Sequence, residues 1–168
     1  MSHNAFLKIA GLEAQTVDAQ HPGAVRLLGF DHDLELPSIG SAGMSGLEGS
    51  AGRTQHGDFC CIKRIDDLSP ALAHVCCTGQ HLPDVTVSLC DTANSRDVFM
   101  RYQLRDVLVR RVRPRLALAD GLQEGTQPAM ETIHLRYRAI AWTYSFVGKL
   151  QSMGTVSFSW DAWTNLPR

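Results

Sequence analysis

Apolar residues recur at every second position through most of this chain, and a period of two predicts strands. Ala5, Leu7 and Ile9 share one face against Phe6, Lys8 and Ala10, in a segment that ends near Gly11. A second strand is expected from Ala24 to Leu36 after the turn signal Pro22-Gly23, with Leu28, Phe30, Leu34 and Leu36 on one parity and His32 between them. Phe59, Cys61 and Ile65 mark a strand over His56 to Ile65, and Val85, Val87 and Leu89 mark the next. Val98, Met100, Tyr102 and Leu104 alternate with polar neighbours, but beyond Asp106 the apolar parity moves to Val107 and Val109. Such a slip predicts a β-bulge or a sharp bend. In the longest pattern Ile133, Leu135, Tyr137, Ala139 and Ala141 oppose His134, Arg136, Arg138, Ile140, Trp142 and Tyr144. Val156, Phe158 and Trp160 complete the strands.

One segment departs from this period. Leu68, Leu72, Val75 and Cys76 fall at i, i+4, i+7 and i+8, the stripe of a short helix, with Ser69 as N-cap, Pro70 at the first helical position and Gly79 at its end. Between strands, residues 37–57 form a long loop with glycines at 40, 43, 46, 49, 52 and 57, in which Ile39, Met44 and Leu47 are the bulky apolar residues. Loops of this length inside a compact domain are uncommon and are often functional. It is either a solvent-exposed excursion or a segment that orders on a neighbouring subunit, with Ile39, Met44, Leu47 and Arg53 as the candidate contacts. The expected fold is mainly β: a closed or nearly closed β-barrel of two sheets with one flanking α-helix, forming one domain over residues 1–168.

Composition narrows the function classes. With 44% hydrophobic and 20% charged residues and a net charge of -1, the chain is neither disordered nor a polyelectrolyte suited to nucleic acid. Its start lacks the basic stretch and long apolar run of a signal peptide or membrane span, so folding in the cytoplasm is expected. The cysteines fall as Cys60-Cys61, Cys76-Cys77 and Cys90; the odd total and the missing CxxC spacing point to small core hydrophobes rather than disulfides or zinc ligands. Arginine outnumbers lysine thirteen to three, a weak pointer to protein interfaces.

Candidate chemistry is sparse along the chain. Seven histidines form neither HxH nor HExxH, and only Asp31-His32-Asp33 gathers ligand types, with His32 opposing the two carboxylates on a strand; a solvated strand edge is the expected reading. No GxSxG, P-loop or strand-to-helix GxGxxG occurs. The densest charge is Arg110-Arg111-Val112-Arg113-Pro114-Arg115, which Arg136 and Arg138 could extend. Three readings stand open for Arg110, Arg111 and Arg113: a solvated strand edge, inter-subunit salt bridges, or an anionic ligand. No catalytic residue, metal site or cofactor is expected, and assembly is favoured over catalysis. A metal- or anion-binding barrel is kept as an alternative.

Taken in order, the segments resemble the hemolysin-coregulated protein family, Hcp, the inner-tube subunit of bacterial type VI secretion. The resemblance rests on Ala5-Phe6-Leu7-Lys8-Ile9-Ala10-Gly11-Leu12, on His21-Pro22-Gly23, and on the glycine-rich loop leading into Gly52-Arg53-Thr54-Gln55-His56-Gly57-Asp58-Phe59. It continues through Ile65-Asp66-Asp67-Leu68-Ser69-Pro70-Ala71-Leu72, Cys77-Thr78-Gly79, Leu104-Arg105-Asp106-Val107-Leu108-Val109 and Ala139-Ile140-Ala141-Trp142-Thr143-Tyr144. It departs at Asp67, where a lysine is common, and in the loop after Gly11. The resemblance implies a homohexameric ring, rings stacked into a tube inside a contractile sheath, a spike protein at the tip, and effector proteins carried in the lumen. The glycine-rich loop would then touch an adjacent subunit or ring, and the tube would be assembled in the cytoplasm and secreted. It implies no cofactor, no nucleic acid, no membrane insertion and, with the chain reaching Arg168 soon after its last strand, no C-terminal effector domain. A related phage-like tail-tube protein is the alternative.

Overall fold

In the computed structural model, which describes residues 3–15, 19–37, 52–91, 97–116, 129–147 and 153–168, the alternating segments become antiparallel strands. They are β1 (His3–Ile9), β2 (Ala24–Asp31), β3 (Leu34–Glu35), β4 (Gln55–His56), β5 (Phe59–Arg64), β6 (His81–Asp91), β7 (Val98–Arg115), β8 (Met130–Val147), β9 (Met153–Asp161) and β10 (Leu166–Pro167), with α1 (Ser69–Thr78) between β5 and β6. The main sheet runs β10-β9-β8-β5-β2-β1-β6-β7, and β7 pairs back onto β8. Six strands therefore close into a barrel, β9 and β10 extend the sheet beyond it, and β3 and β4 form a separate two-stranded ladder. Among the described residues no helix is long and apolar enough to cross a membrane.

Closure buries one side chain in two. Leu7, Ile9, Val25, Leu27, Phe59, Cys61, Val85, Val87, Leu104, Ile133 and Leu135 fill the interior, and Leu68, Leu72 and Val75 of the helical segment join the same core. The helix packs against β7. It ends where Gly79 turns left-handed at φ 67° and donates its N–H to the Val75 carbonyl, a geometry that costs glycine little. A smaller cluster of Phe6, Ala24 and Cys90 lies on the outer wall, with the His21 ring stacked 3.9 Å from that of Phe6.

Several expectations are corrected. The second strand stops at Asp31, and its register shifts between Leu27 and Gly29, so Leu28 is the extra residue of a bulge. That bulge puts Leu27 and Phe30, rather than Leu28 and Phe30, on the core side; Leu28, Leu34 and Leu36 are exposed. The glycine-rich stretch does not stay a loop to Gly57, because Gln55 and His56 pair with Glu35 and Leu34. Leu68, not Ser69, is the residue preceding the helix, and Ser69 makes no capping bond. The parity change at Asp106 is a bend: Asp106 has φ 51°, and β6 and β8 keep register with β7 across it while all three change their buried parity together, from Val85, Leu104 and Ile140 to Leu82, Val107 and Tyr137. The bulge of β7 against β8 falls at Arg110 instead, which returns Val112 to the core.

The Ser69 hydroxyl serves a buried ionic network that the sequence pattern passes over. Lys63 occupies the core parity of β5 between Cys61 and Ile65, opposite Glu131 of β8, and is 0% exposed. Its Nζ lies 2.8 Å from Glu131 Oε1 and 2.5 Å from Asp66 Oδ1; Ser69 Oγ donates to Glu131 at 2.8 Å and accepts the Asp66 N–H at 3.0 Å. The network pins the start of the helix to two strands of the barrel.

Candidate assembly surface

The eighteen residues of β8 outrun the barrel. Its first part, Met130 to Leu135, pairs with β5, whereas Ala139 to Val147 pairs with β9, and β7 follows it on the other edge as far as Tyr144. β7, β8 and β9 thus form an arm of sheet that β5 does not cover, joined to the barrel wall through β6, whose Leu89 and Val87 pair with Met100 and Tyr102 of β7. Along β8 the core-facing parity simply continues: Ile140 is buried and Trp142 packs against the core, but Tyr144 and Phe146, farther out, are 49% and 44% exposed. Opposite them β9 places Trp160 against the core, then Phe158 at 71% exposure and Val156 at 47%. Phe99 meets the Tyr144 ring edge-on at 6.5 Å, Tyr144 stacks with Phe146 at 6.3 Å, and the Phe146 ring lies over Gly154, where a Cβ would collide with it. From the size of such side chains, these four residues leave about 400 Å² of apolar surface in water, within the range of the largest patch a typical monomer shows, which is often functional. On the opposite face of the arm Thr143 and Ser157 share a hydrogen bond.

A second apolar surface sits on the barrel wall. The bulge at Leu28 turns that side chain outward, and with Phe6 and Ile65 it lines a groove of about 710 Å³ rimmed by Arg64 and Asp67. Ile62, paired with Gly29 beside the bulge, adds exposed apolar surface on the same wall.

The base of the glycine-rich stretch is held by polar contacts. Arg53 donates to the carbonyls of Ala162 and Trp163, and Arg136 donates to the His56 carbonyl at 2.8 Å. The C-terminal turn is itself closed by Asp161, whose Oδ1 accepts the N–H groups of Trp163 and Thr164 at 2.9 Å. Arg53 is thus engaged within its own chain, while Ile39, Met44 and Leu47 lie outside the described residues. Below the β3–β4 ladder the Tyr137 hydroxyl lies 2.7 Å from His32 Nε2 and 2.8 Å from His56 Nδ1. Burial lowers both imidazoles; His56 lowers His32 further, against the raising effect of Asp33 and Asp31, and Arg136 and Arg53 lower His56. Burial also pushes the Tyr137 phenol up. His32 is therefore not part of a solvated edge, as its position between two carboxylates had indicated, but a neutral partner packed beside Phe59.

The arginine run lies within β7 rather than in a turn after it. Arg110, at the bulge, and Arg136 converge on Asp58, at 3.2 Å and 3.7 Å, and Arg138 lies 3.6 Å from Asp161. Arg111 and Arg113 are exposed, and among the described residues neither has an ion-pair partner. Cys61 and Cys90 are buried, Cys60 and Cys76 half-buried and Cys77 exposed. Cys60 Sγ stands 3.2 Å from His134 Nδ1, but burial, Asp58 and Asp31 raise its thiol pKa, which keeps it protonated and a poor nucleophile. Among the described residues no three His, Cys, Asp or Glu side chains converge to hold a metal ion.

Sequence reasoning named Tyr144, Val156 and Phe158 as strand residues but gave them no part in assembly. The missed signal was length: an apolar alternation that runs on well past what the six-residue β5 can cover must leave its end exposed or covered by something else.

No curated protein matches the chain. Solved structures do match: Hcp1 from Salmonella typhimurium at 24% identity and a TM-score of 0.78, over 100% of both chains; a type six secretion system protein at 21% and 0.84, over 99% of this chain and 100% of that one; and a type VI secretion system effector from Yersinia pestis at 23% and 0.69, over 94% and 98%. These likenesses establish the barrel fold. The family model for the type VI secretion system effector Hcp matches residues 6–144, most of the chain and nearly all of the barrel, and on that match the chain belongs to the Hcp family of type VI secretion tube proteins.

Proposed function

We propose that this chain is a structural subunit of the type VI inner tube, closing with copies of itself into hexameric rings that stack, and leaving the cell with the spike and effector proteins when the sheath contracts. The observation that carries the reading is the exposed apolar face of the β7–β8–β9 arm, with Phe158 71% and Tyr144 49% exposed in a member of this family. A patch of that kind on a β-sheet calls for a protein partner, and membership of the family makes a second copy the natural one. Arg111 and Arg113, which have no acidic partner among the described residues, would meet carboxylates of a neighbour. Ile39, Met44 and Leu47 would reach an adjacent subunit or ring from a stretch whose base Arg53 fixes. The lumen of the tube would carry the effectors.

Negative-stain microscopy of the purified chain tests this. Annuli of uniform diameter are expected; a field of small, isolated particles at every concentration counts against the proposal.

A further inference from the structure

The β3–β4 ladder is tied to the barrel through one hydroxyl. His32 precedes β3, His56 belongs to β4, and both imidazoles meet Oη of Tyr137, a side chain of β8 that is 5% exposed. The distances are 2.7 Å from His32 Nε2 and 2.8 Å from His56 Nδ1. A phenol carries a single proton, so it donates to one imidazole and accepts an N–H from the other. The second ring nitrogen of His56 decides which: Nε2 is buried and has no hydrogen-bond partner among the described residues. Buried N–H groups without an acceptor are rarer than under-used acceptors, so this nitrogen is the bare one. The bonds then run from His56 Nδ1–H to Tyr137 Oη and from the Tyr137 hydroxyl to His32 Nε2. A further proton has no place in that chain. On His56 it would create a buried N–H without an acceptor, beside the guanidinium groups of Arg53 and Arg136. On His32 it would occupy the position of the phenol's own proton, which is left without its acceptor.

We propose that His32, Tyr137 and His56 form a proton-operated latch: with both imidazoles neutral it holds the β3–β4 ladder against the barrel, and uptake of a proton by either one releases the ladder while the barrel stays folded. The ladder has little else to hold it. It is separate from the main sheet, and its pairs are Leu34 with His56 and Glu35 with Gln55, Leu34 being exposed. Beside them the Gly57 N–H donates to the Asp33 carbonyl at 2.9 Å, the Gly52 N–H to that of Pro37 at 3.1 Å, and Arg136 to that of His56. Segments with few buried contacts open at a lower free energy than the whole fold. The charges around the latch divide. Asp31 and Asp33 favour a proton on His32, Arg53 and Arg136 oppose one on His56, and a charge on His56 opposes one on His32. Asp58, which also faces Tyr137, is engaged by Arg110 and Arg136. Burial outweighs the carboxylates, so both rings charge only below their ordinary 6.5 while the ladder is closed, and regain that value once it opens. Opening is therefore favoured as the pH falls from 6.5 through the closed-state values, each imidazole contributing up to about tenfold per pH unit in that window. Because the ladder and its flanking bonds hold Pro37 and Gly52, the latch sets whether the chain entering and leaving the glycine-rich stretch is anchored. No second copy is needed, so the latch and the ring reading stand or fall separately.

Amide hydrogen exchange read by mass spectrometry, at about pH 7.5 and about pH 5.5 and corrected for the intrinsic pH dependence of exchange, tests this. Residues 52–58 are expected to exchange about tenfold faster in the acid sample, with β1 and β6 unchanged. Tyr137→Phe keeps the ring and removes the hydroxyl, and in that variant the segment is expected to exchange fast at both pH values. The double variant His32→Gln, His56→Gln keeps polar side chains that take up no proton and is expected to abolish the acid response; it serves where circular dichroism shows that Tyr137→Phe does not fold. Exchange over residues 52–58 that does not accelerate in acid, or accelerates only together with β1 and β6, would overturn the latch. So would an acid response that persists unchanged in either variant.

Discussion

At the scale of single residues, the least expected side chain is Lys63. It lies on the core parity of β5 with its ammonium held by Glu131, Asp66 and the backbone carbonyl of Arg64. Removing one partner of a buried pair leaves the other charge uncompensated, so Glu131→Ala is expected to cost about 3–5 kcal/mol in urea unfolding; a loss below about 1 kcal/mol would mean that the pair is not sealed from water. Strand periodicity could not reveal it, because a lysine on an apolar parity reads as an interruption, and its partners come from a helix start and a strand far along the chain. The His32–Tyr137–His56 cluster was equally hidden, since the hydroxyl joining the two imidazoles comes from β8. Both imidazoles titrate below their ordinary 6.5 in the folded chain because burial disfavours their charged forms, and they return to that value on unfolding. The unfolded chain therefore binds more protons in this window, so the stabilising contribution present above pH 6.5 is lost as the pH falls from there through the lowered folded-state values. Urea midpoints measured from neutral to mildly acidic pH should fall accordingly, and the double variant His32→Gln, His56→Gln should flatten that slope; an unchanged slope would remove the imidazoles from the account.

At the scale of elements, the helix and most strands were legible, because each carries its period locally. Leu72 and Val75 are buried on the stripe at i, i+4 and i+7, and Leu72→Ala is expected to lower the unfolding free energy by about 2–5 kcal/mol. Calorimetric melting at neutral pH would check it, a shift under a degree being incompatible with a fully buried Leu72. What the period could not locate were single extra residues. The bulge at Leu28 exchanges the core and solvent faces of β2 within one step, and the bulge at Arg110 does the same in β7. No glycine or proline adjoins Arg110, and Gly29, beside Leu28, sits in an alternation that otherwise reads as unbroken. Asp106 was readable because both flanks keep a clear alternation and only the parity between them changes; its φ of 51° supplies the bend. The end of β8 illustrates the remaining ambiguity: Tyr144 and Phe146 follow the same alternation as the buried Ile140, and a sequence period cannot tell a core from a face awaiting a partner.

At the scale of the whole molecule, the barrel accounts for its own stability and leaves two apolar surfaces unexplained by it. Closure through the β7–β8 pairing removes the open edges of the six barrel strands, so the barrel needs no partner to complete a sheet. The arm beyond it is different, since its apolar face has nothing of its own chain to rest on among the described residues. The tube subunit proposed above would be a body of this kind: a self-sufficient barrel with surfaces left for its copies. The ordered segments that resembled the family were enough to indicate the barrel, but the exposed apolar face became visible only in the register and burial of β8 and β9. Multi-angle light scattering of the wild-type chain across a wide concentration range tests the central claim most directly. Assembly predicts a stable species of six times 18.5 kDa that dissociates, if at all, only on dilution; a single species of 18.5 kDa at every concentration would contradict it.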